Sequence, residues 1–176
     1  VVKKKQMETV NPIINRVANS GLITINPADY YLPGERILFD IKPLLIEEFL
    51  LREKDFRLFV ATHNWQQYQN CYVAITCSND AIIATWAYML ISASLAPFAK
   101  AMVVGNLETL ETILILQSIN QIDIERFKGQ RIVIKGCADL PIPATAYTAL
   151  VNKLTPVAKS IMYGEPCSTV PIFKAR

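Results

Sequence analysis

Residues 75–105, ITCSNDAIIATWAYMLISASLAPFAKAMVVG, and residues 134–164, IKGCADLPIPATAYTALVNKLTPVAKSIMYG, align without a gap at an offset of 59, with ten identities in 31 positions. Asp80 meets Asp139, Ala87-Tyr88 meets Ala146-Tyr147, and Pro97, Ala99-Lys100 and Gly105 meet Pro156, Ala158-Lys159 and Gly164. Two unrelated strand–helix–strand segments share apolar positions. They do not so readily share Asp, Tyr, Pro, Lys and Gly in register. The pattern reads as a duplicated βαβ unit.

Outward from this repeat, Tyr72–Thr76, Ala101–Val104, Arg131–Lys135 and Ser160–Tyr163 read as strands. Helices are expected over Asp80–Leu95, Leu107–Ile122 and Pro143–Leu154, with Asn106 capping the second. Strands separated by helices imply parallel pairing through right-handed crossovers. The expected fold is α/β: a parallel four-strand sheet built from the duplicated βαβ unit, Rossmann-like and three-layered. An N-terminal α+β extension precedes it. A helix opens at Asn11-Pro12 and closes at Gly21, Leu22–Ile25 and Arg36–Ile41 are strands, and Glu53–His63 is a helix. Pro43 to Leu51 is compatible with helix or strand. Residues 1–176 form a single domain on this reading, divided into an N-terminal portion (1–70) and the duplicated half (71–176).

The chain has 176 residues, 52% hydrophobic and 19% charged, which excludes a mainly disordered state. Its net charge of +3 equals the contribution of Lys3, Lys4 and Lys5, so the rest is neutral and gives no sign of a nucleic-acid surface. Residues 81–99 form a 19-residue run without charge, long enough to cross a bilayer. Thr85, Tyr88, Ser92, Ser94 and Pro97 interrupt it, and its place between two strands fits a buried crossover helix, so no membrane span is expected. No secretory pattern is visible around Val1–Lys5, and four cysteines are too few for a disulfide scaffold. The expected compartment is the cytoplasm.

The cysteines carry the functional reading. Cys77 follows the first repeat strand, Cys137 follows the equivalent strand, and Cys167 follows the last strand. In one parallel sheet these points share the C-terminal edge, where open α/β folds place their ligands. Asp80, Asn106, Asp139 and Glu165 lie in the same loops. Helix starts expected directly after Cys77 and Cys137 would lower their thiol pKa values. Three thiolates suit zinc or an iron–sulfur cluster with one non-cysteine position. No C-x-x-C is present, so only the fold can assemble such a site.

Two alternatives stay open. One is a cysteine-dependent thiol enzyme acting on a small molecule, with Asp80 or Asp139 assisting. The other is a structural or interaction protein whose cysteines are inert and buried. Cys71, at the start of a strand, belongs to the opposite edge. His63, the only histidine, reads as a helix-end residue. Trp86, Tyr88 and Tyr147 read as packing residues. There is no G-x-G-x-x-G, Walker A, G-x-S-x-G or H-E-x-x-H motif.

The segments NRVANSGL (15–22), GER-x-LFDI (34–41), CS-x-DAII (77–83) with TWAYML (85–90), VIKGC (133–137) and above all KSIM-x-GEPCSTVP (159–171) resemble a family of short uncharacterised bacterial proteins, a domain of unknown function. The resemblance runs from about Met7 onward and brings no catalytic residues. One departure is Ala84, where the family tends to have proline, aligned here with Pro143. Members of that family often lie beside genes for iron–sulfur cluster assembly. The resemblance therefore implies a role near sulfur or cluster chemistry, with iron–sulfur assembly proteins as partners. A homo-oligomer is compatible with all of these readings.

Overall fold

A computed structural model describes residues 21–136, 140–165 and 168–176. It is a mixed α/β fold with two sheets. The helix expected before Gly21 lies outside the described residues. Strands β1 (Leu22–Ile25), β5 (Arg131–Ile134), β6 (Ser160–Glu165) and β7 (Ser168–Lys174) form the first sheet in the order β1-β5-β6-β7. Its first three strands are parallel, and β7 is antiparallel to β6. Strands β2 (Arg36–Asp40), β3 (Tyr72–Thr76) and β4 (Ala101–Val104) form the second sheet, all parallel, in the order β2-β3-β4. Helices α1 (Glu53–Thr62), α2 (Thr85–Leu95), α3 (Leu107–Asn120) and α4 (Ala144–Leu154) complete the architecture.

The expected pairings β3–β4 and β5–β6 both form, but in different sheets. The single four-strand parallel sheet is thereby corrected. Instead of being an appendage, the N-terminal portion supplies an outer strand to each sheet: β1 beside β5, and β2 beside β3.

The reason lies in α3. Leu110 and Leu114 pack with Tyr72 and Ala74 on one face of the second sheet. Ile115 and Ile119 join Ile132, Ile134 and Ile161 of the first sheet and Ala146, Leu150 and Leu154 of α4. A helix that is apolar on more than one side is stable only between layers. Lying on the outside of one continuous sheet would leave one of those sides in water. The other face of the second sheet, with Phe39, Val73 and Ile75, is covered by α2 through Ala87, Ile91 and Leu95 and by Phe56 of α1.

A polar contact reinforces the same junction. Arg36, at the start of β2, donates from Nε to Glu111 of α3 at 2.6 Å and from Nη2 at 3.3 Å. It also donates to the carbonyls of Leu32 and Gly34. Its guanidinium lies 4.3 Å from the centroid of Tyr31 and 5.0 Å from that of Tyr72. Burial works against the charge, but the hydrogen bond and attraction to Glu111 outweigh it and raise the Arg36 pKa.

The glycines ending β4 and the β6 ladder require their freedom. Gly105 has φ 145° and Gly164 φ 121°. A Cβ on Gly164 would stand 2.5 Å from the Ser168 carbonyl oxygen across the hairpin.

Because Leu114 is 2% exposed, Leu114→Ala is expected to cost about 2–5 kcal/mol of stability. Urea unfolding followed by circular dichroism measures this. A loss below ~1 kcal/mol would show that α3 is not the packed partition between the sheets.

Candidate functional site

The expected site residues fall into three groups. Cys137, Asp139 and Cys167 lie outside the described residues. Cys77, Asp80 and Asn106 stand at the C-terminal end of the second sheet. Glu165 ends β6 in the first sheet, opposite Ser168 of β7.

Cys77 does not share a sheet with the strands that precede Cys137 and Cys167, so the expected common edge is not formed by one sheet. Cys77 follows β3 and packs against the apolar cluster of Val73, Ile75 and Ala87 on the α2 side. Its neighbour there is Tyr88: burial, followed by the charge of Cys77, raises the Tyr88 pKa. The α2 dipole does not act directly on Cys77, because α2 begins at Thr85 and Ala84 is its N-cap. Asp80 is exposed in the intervening bend and does not cap the helix. Among the described residues, no group of three or more His, Cys, Asp or Glu side chains is arranged to hold a metal ion.

Cys71 behaves as expected for the opposite edge. It is buried, its thiol faces Glu35 Oε2 at 3.7 Å, and burial followed by Glu35 raises its pKa. Asn106 is a helix cap: its Oδ1 accepts from Thr109 N at 2.8 Å and from Thr109 Oγ1 at 2.9 Å.

Sequence reasoning missed Asp40, at the end of β2. It accepts from the backbone N–H of Lys42 at 3.0 Å, from that of Ser78 at 2.9 Å, and from the Ser78 hydroxyl. Burial pushes its carboxyl up. The bonds from Ser78 and Lys42, helped by the Lys42 charge, win and hold it below the ordinary aspartate value. This ties the segment after Cys77 onto β2. The readable signal was an aspartate at a strand end, matched by Asn26 at the end of β1, whose side chain accepts from Ala28 N.

A cleft of about 420 Å³ joins the two halves of the molecule. Leu107, Glu108 and Glu111, at the start of α3, line one wall. Pro141, Ile142 and Pro143, in the segment leading into α4, line the other. The loops leaving β4 and β5 therefore border one space. Glu111 is engaged by Arg36, which leaves Glu108 as the carboxylate of the cleft without a described salt bridge.

His63 is the C-cap of α1, the helix-end position expected for it, and its ring sits in an aromatic cluster. Its ring centroid is 4.7 Å from Phe59, 4.6 Å from Trp65, 5.8 Å from Tyr68 and 6.0 Å from Phe39. The Gln67 amide donates to the Asn64 carbonyl at 2.8 Å, which also directs an N–H at His63 Nε2, 3.0 Å away. The Tyr68 hydroxyl lies 3.1 Å from the same nitrogen, and with this amide orientation a neutral ring that accepts at Nε2 satisfies both contacts. Burial lowers the His63 pKa.

Among the described residues, no helix is long and apolar enough to cross a membrane; α2, within the uncharged run, has only 11 residues.

Two outcomes are expected. Asn106→Ala removes the α3 cap and costs about 0.5–2 kcal/mol in thermal or urea unfolding. For His63, the unfolded chain takes up its proton near pH ~6.5 while the folded chain resists. Stability is then full above that pH and declines as pH falls through it toward the lower folded value. Urea midpoints measured between about pH 7 and about pH 5.5 should fall in the wild type and stay nearly flat in His63→Gln. Equal slopes in the two proteins would refute the neutral ring.

No curated protein and no solved structure matches the chain. A family model does: the one described as "Protein of unknown function (DUF2480)" matches residues 11–175, so the chain belongs to that family.

Proposed function

We propose that the protein is a cytoplasmic accessory factor of sulfur or iron–sulfur metabolism that holds a soft metal ion through Cys137 and Cys167. One observation carries this reading. Strands β5 and β6 are adjacent, parallel and in register, with Ile134 opposite Tyr163. The described strands that precede Cys137 and Cys167 in the chain therefore run side by side toward one sheet edge. Cys77, in the other sheet, is a packing residue in this reading, which narrows the expected three-thiolate set to two. Two thiolates with the carboxylates of Asp139 and Glu165 form a donor set for zinc. Two thiolates from each of two copies would suit an iron–sulfur cluster.

The two βαβ units are, in our reading, copies of one Rossmann-like element. Adding 59 to the bounds of α2 (Thr85–Leu95) gives those of α4 (Ala144–Leu154). The same offset converts the β3–β4 register, from Tyr72↔Ala101 onward, into that of β5–β6, from Arg131↔Ser160 onward. Each unit also gains one parallel strand, whose terminal Asn26 or Asp40 accepts from the backbone two residues on.

The adjacency that favours metal binding also allows Cys137 and Cys167 to act as a redox or nucleophilic thiol pair. Metal analysis of protein purified anaerobically, before and after loading with zinc or with iron and sulfide, separates the readings. The metal reading expects stoichiometric binding that Cys137→Ser and Cys167→Ser each abolish and Cys77→Ser leaves intact. One zinc per chain fits the carboxylate-completed site, and one cluster per two chains fits the shared site. A folded wild type that takes up neither, with one thiol alkylated at an apparent pKa well below ~8.5, would replace metal binding by thiol chemistry.

A further inference from the structure

We propose that the first sheet carries a second binding site, where β5 and β6 begin and β7 ends, for an anion attached to an apolar body. The site is a pocket of about 320 Å³ beside the first residues of β5 and β6 and the last of β7. Arg131, Lys159 and Lys174 line it together with Ser160, Met162 and Pro171.

The register explains how these groups meet. Arg131 on β5, Ser160 on β6 and Lys174 on β7 are direct cross-strand partners. Partners in a ladder project from the same face, so two cations flank a serine hydroxyl in one row. That face is not the one buried under α4, since the alternate residues Ile132 and Ile161 fill the core there. Lys159 adds a third cation next to Ser160. One step along the same face, Met162 opposes Pro171 and supplies an apolar floor.

Nothing described neutralises this row. The described salt bridges engage Arg36, Lys42, Arg52, Arg57 and Lys128 but none of these three cations. No carboxylate side chain is among the described residues of the pocket. The Ser160 hydroxyl has no described hydrogen bond, while its backbone N–H is satisfied by Gln130. Three like charges around a concave, partly apolar surface create a positive potential that a single anionic headgroup would relieve. The volume is near the lower end of the usual ligand range, which fits a small amphiphile with a phosphate or carboxylate headgroup. An extended polyanion would need a longer basic track than one pocket offers.

Titration calorimetry with octyl phosphate below its micellar concentration tests the site. Saturable binding near one per chain is expected. Octanol and inorganic phosphate should each bind at least about tenfold more weakly, because each lacks half of the recognition. The triple variant Arg131→Gln/Lys159→Gln/Lys174→Gln should lose about tenfold or more in affinity, and added salt should weaken the wild type in the same direction. A Lys54→Gln/Lys128→Gln variant should bind as the wild type does. If the triple variant fails to give the wild-type circular dichroism spectrum, Lys174→Glu alone decides, with the same loss expected. Cosedimentation with phosphatidylglycerol vesicles, lost in the variant, would assign the headgroup to a lipid surface; octyl phosphate binding without cosedimentation would assign a soluble ligand. Absence of saturable binding, equal affinity for octanol, or an unaffected variant would overturn the proposal.

Discussion

Everything in this fold depends on α3 being buried on both sides. Leu110 and Leu114 commit it to the second sheet, and Ile115 and Ile119 to the core over the first sheet and α4. At about 25 cal/mol per Å² of apolar surface, exposing either side would remove several kcal/mol. Net stability is usually only 5–15 kcal/mol, so a chain with this helix has little choice but to place a layer on each flank. The two sheets and the shared cleft at the start of α3 follow from that constraint.

Arg36 converts the hydrophobic constraint into a specific one. Apolar contacts alone would tolerate α3 sliding along the second sheet. A two-point contact with Glu111, made by a guanidinium that also holds the Leu32 and Gly34 carbonyls, fixes its position. It also explains why Glu111 is a poor candidate for chemistry in the cleft, although it lines one wall. A carboxylate held at two points by a half-buried arginine has its acceptor capacity largely spent.

Local elements were legible in the sequence because their signals are local. The short apolar runs in YVAIT and RIVIK, Asn106 before an apolar helix and the offset repeat are all read directly along the chain. Sheet membership was not legible, because it is decided by which residues of α3 touch which strands. The start of α2 was misplaced at Asp80 because the apolar residues 81–84 continue a helical pattern. The segment aligned at the offset of 59 contained the correction: Pro143, aligned with Ala84, stands directly before Ala144, the first residue of α4. β7 was missed because Pro171 inside GEPCSTVPIFK argues against a strand, and proline is in fact tolerated there only because β7 is an edge. The grouping of Cys77 with Cys137 and Cys167 assumed one sheet edge, whereas β3, which precedes Cys77, and β5 and β6, which precede the other two, belong to different sheets.

That same edge strand carries features that discourage pairing with another strand along β7. Val170 and Ile172 are 58% and 49% exposed on β7, a pattern that in a flat strand would invite pairing with a second copy. Pro171 lacks the N–H that such a ladder needs, and the register shifts between Ile161 and Met162, opposite Phe173 and Pro171, twisting the edge out of line. Lys174 closes the strand with a charge. The feature that blocks edge pairing is also the one that shapes the basic pocket, since the shift sets Pro171 opposite Met162 while Lys174 stays opposite Ser160. The irregularity that discourages pairing along β7 thus also sets the residues that line the proposed pocket.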